Sequence, residues 1–193
     1  MYDKIKEQIL LKIQSKKEEP FILAIDGRCA SGKTTLAKEL KEYLQADLFH
    51  LDDFFLRPEQ KTKQRMMEAG GNIDYERFRF QVLEPIWRKE RVYCRRYDCK
   101  KGQLEEKPSI ISTGTKYIIL EGAYSLHPYF SPSKYSIRIF LSVSFEEQKK
   151  RILKRNGEKQ LERFVKEWIP KEEAYFDTFQ IQSICDLVFE TGL

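Results

Sequence analysis

Residues 21–40 read FILAIDGRCASGKTTLAKEL. The apolar run Phe21–Ile25 ends in Asp26-Gly27, as a buried strand does on entering a turn. The next stretch, Gly27-Arg28-Cys29-Ala30-Ser31-Gly32-Lys33-Thr34, fits the spacing G-x-x-x-x-G-K-S/T. From Lys33 to Gln45, Leu36, Leu40 and Leu44 recur on one face of a helix. Glycines let a backbone curl closely around phosphate oxygens, so that successive N–H groups point inward as an anion nest. The helix that follows offers its unpaired N–H groups and positive dipole end to the same anion. Lys33 would bring a mobile charge to the β- and γ-phosphates, and the Thr34 hydroxyl could ligate Mg2+. With glycine near 7% of residues, this spacing arises by chance in about one chain of this length in a hundred. The nucleotide-binding candidates are Gly27, Arg28, Cys29, Ala30, Ser31, Gly32, Lys33, Thr34 and Thr35.

Outward from this segment, strands and helices alternate. Ile5–Lys16 has helical spacing, and Ala46–Leu51 reads as a second strand leading into Asp52-Asp53-Phe54-Phe55. Arg57–Gly71 is polar and irregular. Tyr75–Glu90 is helical, with Pro85 expected to kink or break it. Val92–Tyr97, a turn at Lys101-Gly102 and Ser109–Ser112 form an expected hairpin, about 92–112. Strands follow at Lys116–Leu120, Tyr135–Val143 and Cys185–Phe189. Helices at Phe145–Lys154 and Gln160–Trp168 are separated by Asn156-Gly157. The alternation predicts an α/β fold with parallel strands and helices on both faces.

The 193 residues suit one domain, since domains run to roughly 100–200 residues. No apolar run approaches the ~20 residues of a membrane-spanning helix, and the first segment does not read as a signal peptide. A soluble, cytoplasmic chain is the expectation, with no membrane partner. The net charge of +5 is spread among mixed charges with no block of basic residues, so a nucleic-acid partner is not expected. The cysteines, Cys29, Cys94, Cys99 and Cys185, contain no C-x-x-C and read as free thiols. Self-association is left open.

Neither the D-x-x-G and N-K-x-D signatures of switch GTPases nor the L-S-G-G-Q of transporter ATPases occurs. Instead Gly27–Thr35, Leu51-Asp52-Asp53-Phe54-Phe55, Gly71-Asn72-Ile73-Asp74, Tyr97-Asp98 and Leu120-Glu121-Gly122 follow in order. This series resembles the uridine kinase/phosphoribulokinase/pantothenate kinase superfamily, and its uridine kinase-like branch most. The resemblance runs from about Phe21 to Phe189. It implies a P-loop NTPase-type sheet of about five parallel strands, a β-hairpin near the acceptor and a short lid at about 151–163, in one kinase domain over 1–193.

The implied activity is transfer of a phosphoryl group from ATP, with Mg2+, to a hydroxyl of a small metabolite, first a nucleoside 5′-hydroxyl. Asp52 would be the general base and a further Mg2+ ligand. Glu121, an acid at the tip of a buried strand, reads as a Mg2+ ligand with Thr34. Asp74 would accept hydrogen bonds from ribose hydroxyls, and Tyr97, Asp98 and Phe55 would lie at the acceptor pocket. Arg151 and Arg155, spaced i, i+4 on one helix face, would join Lys33 in neutralising the transferring group. Two departures stand out: no histidine follows Tyr97-Asp98, and Lys154–Lys159 lacks the usual Arg-Gly-Arg. The acceptor could therefore instead be pantothenate- or nicotinamide riboside-like. The alternative from another class is a P-loop ATPase or nucleotide sensor that is no kinase.

Overall fold

Alternation of side chains along the first strand divides the molecule into two packed faces. In the computed structural model, which describes residues 2–192, α1 (Tyr2–Gln14) precedes β1 (Phe21–Gly27), α2 (Lys33–Leu44) and β2 (Asp47–His50). Phe21, Leu23 and Ile25 pack under Ile5, Ile9 and Ile13 of α1 and Leu36, Ala37 and Leu40 of α2. Ile22 and Ala24 face the other way, and Asp26 continues their row. Every residue of β1 is buried, as expected of a strand covered on both sides. Each large apolar side chain so buried contributes about 1.5–3 kcal/mol.

After β2 come a 3-10 turn at Leu51–Phe54, α3 (Lys63–Met67), α4 (Tyr75–Phe78) and α5 (Glu84–Trp87). The last two are one helical run joined by a π-helical turn at Arg79–Leu83. Pro85 thus neither breaks nor ends the helix: Glu84 N–H reaches back to the Arg79 carbonyl, and the widened turn absorbs the proline. The hairpin is interrupted. Its base pairs β3 (Tyr93–Cys94) with β6 (Ile110–Ile111), and its tip pairs β4 (Tyr97–Asp98) with β5 (Gln103–Leu104).

Next in the chain are β7 (Tyr117–Glu121), β8 (Ile137–Val143), α6 (Phe145–Asn156), α7 (Glu158–Arg163), α8 (Ile169–Thr178) and β9 (Leu187–Thr191). The sheet order is β2-β7-β1-β8-β9, and every pairing in it is parallel. The five-stranded parallel sheet with helices on both faces is the expected P-loop NTPase-type architecture.

Three details differ from the sequence reading. The helical run from α7 does not stop at Trp168; a second π-helical turn, Phe164–Trp168, carries it into α8, which sequence spacing did not reveal. The last strand lies at Leu187–Thr191 rather than 185–189, because Asp186 is occupied at its start. Its carboxylate accepts from the Arg138 N–H at 2.8 Å, and its own N–H donates to the Arg138 carbonyl. Arg57–Gly71 is less irregular than expected, since it contains α3. Among the described residues, no helix is long and apolar enough to cross a membrane.

Candidate functional site

β1, β7 and β2 are adjacent, and their registers set Ile25 and His50 beside Glu121. Their carboxyl ends therefore open at one place, where ligands bind in open α/β sheets. Gly27 ends β1 at φ +133°, and a Cβ there would lie 2.0 Å from the Leu141 carbonyl oxygen. Only glycine lets the loop leave the sheet so close to β8. The loop closes with Ser31 N–H donating to the Arg28 carbonyl, and Gly32 is the N-cap of α2.

Lys33 is buried beneath this loop and donates to the Gly27 and Arg28 carbonyls, both at 2.8 Å. Thr34 Oγ1 donates to Glu121 Oε1 at 3.1 Å, and His50 Nδ1 donates to Glu121 Oε2 at 2.6 Å. That second bond, more than any other cause, raises the pKa of His50 above its ordinary value. Asp52 follows β2 in the 3-10 turn. Enclosure by the cavity walls, then repulsion from Glu121, raises its pKa, while Lys33 pulls it down. Arg77 fixes this turn by donating to the Asp53 carbonyl at 2.9 Å and lying 4.2 Å over the Phe54 ring.

Lys33, Thr34, Asp52 and Glu121 share a cavity of about 1160 Å³. Cys29, Ala30, Gly32, Lys33, Thr34 and Thr35 line it, with Asp52 and Glu121. Phe55, Tyr97, Arg151 and Arg155 line it as well. Other sequence candidates do not. Gly27 and Ser31 build the loop from behind, and Arg28 turns away to a bidentate pair with Glu173 at 2.6 and 2.8 Å. Asp74 is 2% exposed and caps α4, accepting from Arg77 N–H at 3.0 Å and Gln60 Nε2 at 2.9 Å. Asp98 accepts from the Lys100 and Lys101 N–H groups and so shapes the hairpin turn.

The two arginines also differ. Arg151 donates to the Ala30 carbonyl at 3.1 Å and to Glu147, so it braces the loop, whereas Arg155 is exposed beside Asn156. The sequence reading missed a polar row on α7 and α8 with Arg163, Lys171 and Glu172, and also missed Lys61, Asn72 and Tyr124. The charge run at 158–173 and the motif Gly71-Asn72-Ile73-Asp74 were the available signals. Cys29 lines the cavity too, but burial holds its thiol at about 12, which keeps it protonated and unreactive.

The oxygen set fits Mg2+. Thr34 Oγ1 and Glu121 already touch, and Asp52 lines the same cavity. Among the described residues no group of three or more His, Cys, Asp or Glu side chains could cage a metal. Mg2+ with a nucleotide needs only one or two carboxylates beside phosphate and water.

No model of a known family matches the sequence, and no curated protein matches it. Solved structures do. A possible uridine kinase from Bacillus stearothermophilus superposes with a TM-score of 0.67 at 18% identity, over 96% of this chain and 99% of that one. A candidate fructose transport system kinase from Silicibacter sp. TM1040 gives 0.72 at 17% identity, over 98% of both chains. YFH7 from Saccharomyces cerevisiae, a candidate P-loop kinase with a circular permutation, gives 0.62 at 11% identity over the full length of both. At these identities what is shared is the fold. The chain has the P-loop NTPase-type fold of these proteins, in agreement with the superfamily resemblance of its motifs.

Proposed function

We propose that this protein is a kinase that transfers the γ-phosphoryl group of ATP, with Mg2+, to a hydroxyl of a small metabolite, with a nucleoside 5′-hydroxyl as the first candidate. One observation carries the reading: Lys33, Thr34, Glu121 and Asp52 converge on a single cavity of about 1160 Å³. Ligand pockets commonly span about 300–1,000 Å³, so this one has room for a nucleotide and an acceptor together.

Phosphoryl transfer asks a protein chiefly for positioning and charge stabilisation. The loop N–H groups and Lys33 hold the phosphates. Thr34 and Glu121 would hold Mg2+, which would supply charge neutralisation for the phosphates. Asp52, on the cavity wall just past β2, accepts the proton of the attacking hydroxyl. Arg155, Arg163 and Lys171 face the cavity and can meet charge on the transferring group.

ADP release from Mg·ATP across uridine, cytidine, purine nucleosides, nicotinamide riboside and pantothenate tests this. Acceptor-dependent release that falls about 10²–10⁴-fold in Asp52→Asn is the expected result. Slow release that ignores both acceptor and substitution would instead indicate an ATPase or a nucleotide sensor.

A further inference from the structure

Beside the cavity, β2 ends on a residue that breaks the strand's own pattern. Side chains alternate along β2: Phe49 joins the core on one face of the sheet, while Leu48 packs on the other, beneath α1 and α2. His50 follows Leu48 in the same row, where that pattern would place another apolar side chain. The neighbouring strand β7 ends in a similar way. Tyr117 and Ile119 pack beneath α1 and α2, and Glu121 continues their row. The register sets His50 beside Glu121. Two polar side chains thus close adjacent apolar rows, on the side of the sheet that carries α2 and Thr34.

Glu121 is only 4% exposed, and both of its oxygens are engaged. Oε2 accepts from His50 Nδ1 at 2.6 Å, a short bond of the kind that a carboxylate draws from a nitrogen donor. Oε1 accepts from Thr34 Oγ1 at 3.1 Å. The last torsion of a glutamate is soft, so the imidazole decides the plane in which the carboxylate lies and keeps one oxygen toward Thr34. His50 is not among the residues that line the cavity, so it reaches a bound ligand only through Glu121. Lys33 cannot take its place, being committed to the Gly27 and Arg28 carbonyls. Partners of this kind, set behind a metal ligand, orient it, and their loss typically costs about 10–100-fold in metal affinity.

We propose that His50 is a positioning residue for the divalent cation: its Nδ1–H holds the Glu121 carboxylate in the plane that serves Thr34 and the cation together, and the affinity for Mg2+ in the nucleotide complex depends on it. The assignment rests on the kinase reading only in taking Thr34 and Glu121 as the Mg2+ site. What matters is one donor at one place. Asparagine carries its Nδ2 on the same two carbons, Cβ and Cγ, that carry the imidazole Nδ1, so it can present an N–H to Glu121 from the same point. Phenylalanine keeps a flat ring and removes both nitrogens. Glutamine has the amide of asparagine but sets it one carbon farther out.

Calorimetric titration of the full chain with a non-hydrolysable ATP analogue, in Mg2+ and in EDTA at equal pH and ionic strength, tests the assignment. The ratio of the two affinities is the Mg2+ gain, and in the wild type it should be at least tenfold. His50→Phe should bring the gain below threefold while changing binding in EDTA less than threefold. His50→Asn should keep it within twofold of the wild type. In a Glu121→Gln background, adding His50→Phe should change nothing further, since the histidine acts through the carboxylate. If His50→Phe does not fold, His50→Gln takes its place and should lose the gain likewise. A gain that survives His50→Phe, a loss that appears equally in EDTA, a folded His50→Asn that behaves like His50→Phe, or a wild type without a gain would each overturn the assignment. ADP release from Mg·ATP with the same panel of acceptors separates the two readings. A gain that needs His50 without acceptor-dependent release sinks the kinase and keeps the histidine, while release with a gain indifferent to His50 does the reverse.

Discussion

Glu172 is 6% exposed and keeps a carboxyl group among the phosphate-loop N–H groups. Burial raises its pKa from 4.5 to about 7; Asp26 adds to the rise, while Lys33 and the Cys29 N–H oppose it. Between those values the folded protein binds a proton that the unfolded chain has released. Stability must therefore fall as pH rises from about 4.5 to about 7, by on the order of 2–3 kcal/mol at 1.36 kcal/mol per unit. Glutamine keeps the shape without the charge. Glu172→Gln should match the wild type at pH 5 and melt higher at pH 8, by about 4–12 °C at about 2–4 °C per kcal/mol. A melting difference that stays constant with pH would refute this. Residues of this kind were the least legible in the sequence. Lys33, Thr34, Asp52 and Glu121 could be found because a loop spacing or a strand end marks them. Tyr124 and Glu172 reach the cavity only where distant segments meet, and no local pattern marks that meeting. Asp74 shows the converse, a motif acid that serves as a helix cap.

At the scale of elements, two proline-containing helical runs share one device. Pro85 and Pro170 each follow a π-helical turn, and the residue before each donates five residues back: Glu84 to Arg79 and Ile169 to Phe164. A proline inside an α-helix lacks a donor and crowds the carbonyl four residues earlier, and the wider turn relieves both. Because of this, Gln160, Phe164, Trp168 and Glu172 stay on one face, with Arg163, Glu167 and Lys171 beside them, all toward the cavity. The spacing is that of an amphipathic helix, but its face is largely polar, so hydrophobic periodicity traced the helix only to Trp168. The strands were easier to read because they are apolar on both sides. Between α6 and α7 the chain turns at Gly157, at φ +78° and ψ 172°, where a Cβ would meet nothing within 4 Å. Gly157→Ala should therefore cost only backbone strain, about 1–3 kcal/mol. Urea unfolding reads that loss as a lower midpoint with an unchanged slope. An unchanged midpoint would mean that the turn tolerates a side chain.

Over the whole molecule, the phosphate loop is where separate parts of the chain are tied together. Arg28 reaches Glu173 on α8 and Ser142 on β8, and Gln148 of α6 donates to the Cys29 carbonyl. Arg151 donates to the Ala30 carbonyl, and Thr191 at the end of β9 donates to that of Ser31 at 2.8 Å. The loop is thus held by elements that meet only in the folded chain, and a ligand seated on it binds the folded state alone. Such a ligand stabilises the protein by RT ln(1 + [L]/Kd), about 2.7 kcal/mol at a hundredfold excess over Kd. For a chain of this size that corresponds to a rise in Tm of about 5–11 °C. Mg·ATP should produce it, and Lys33→Ala, which removes the lysine lying under the loop, should abolish most of it. Inorganic phosphate at equal ionic strength controls for bulk charge. Duplex DNA should give no shift that survives moderate salt, because phosphate-backbone binding decays steeply with salt. A Tm indifferent to Mg·ATP would leave a loop of the right shape that holds no nucleotide, and the kinase proposal would fall with it.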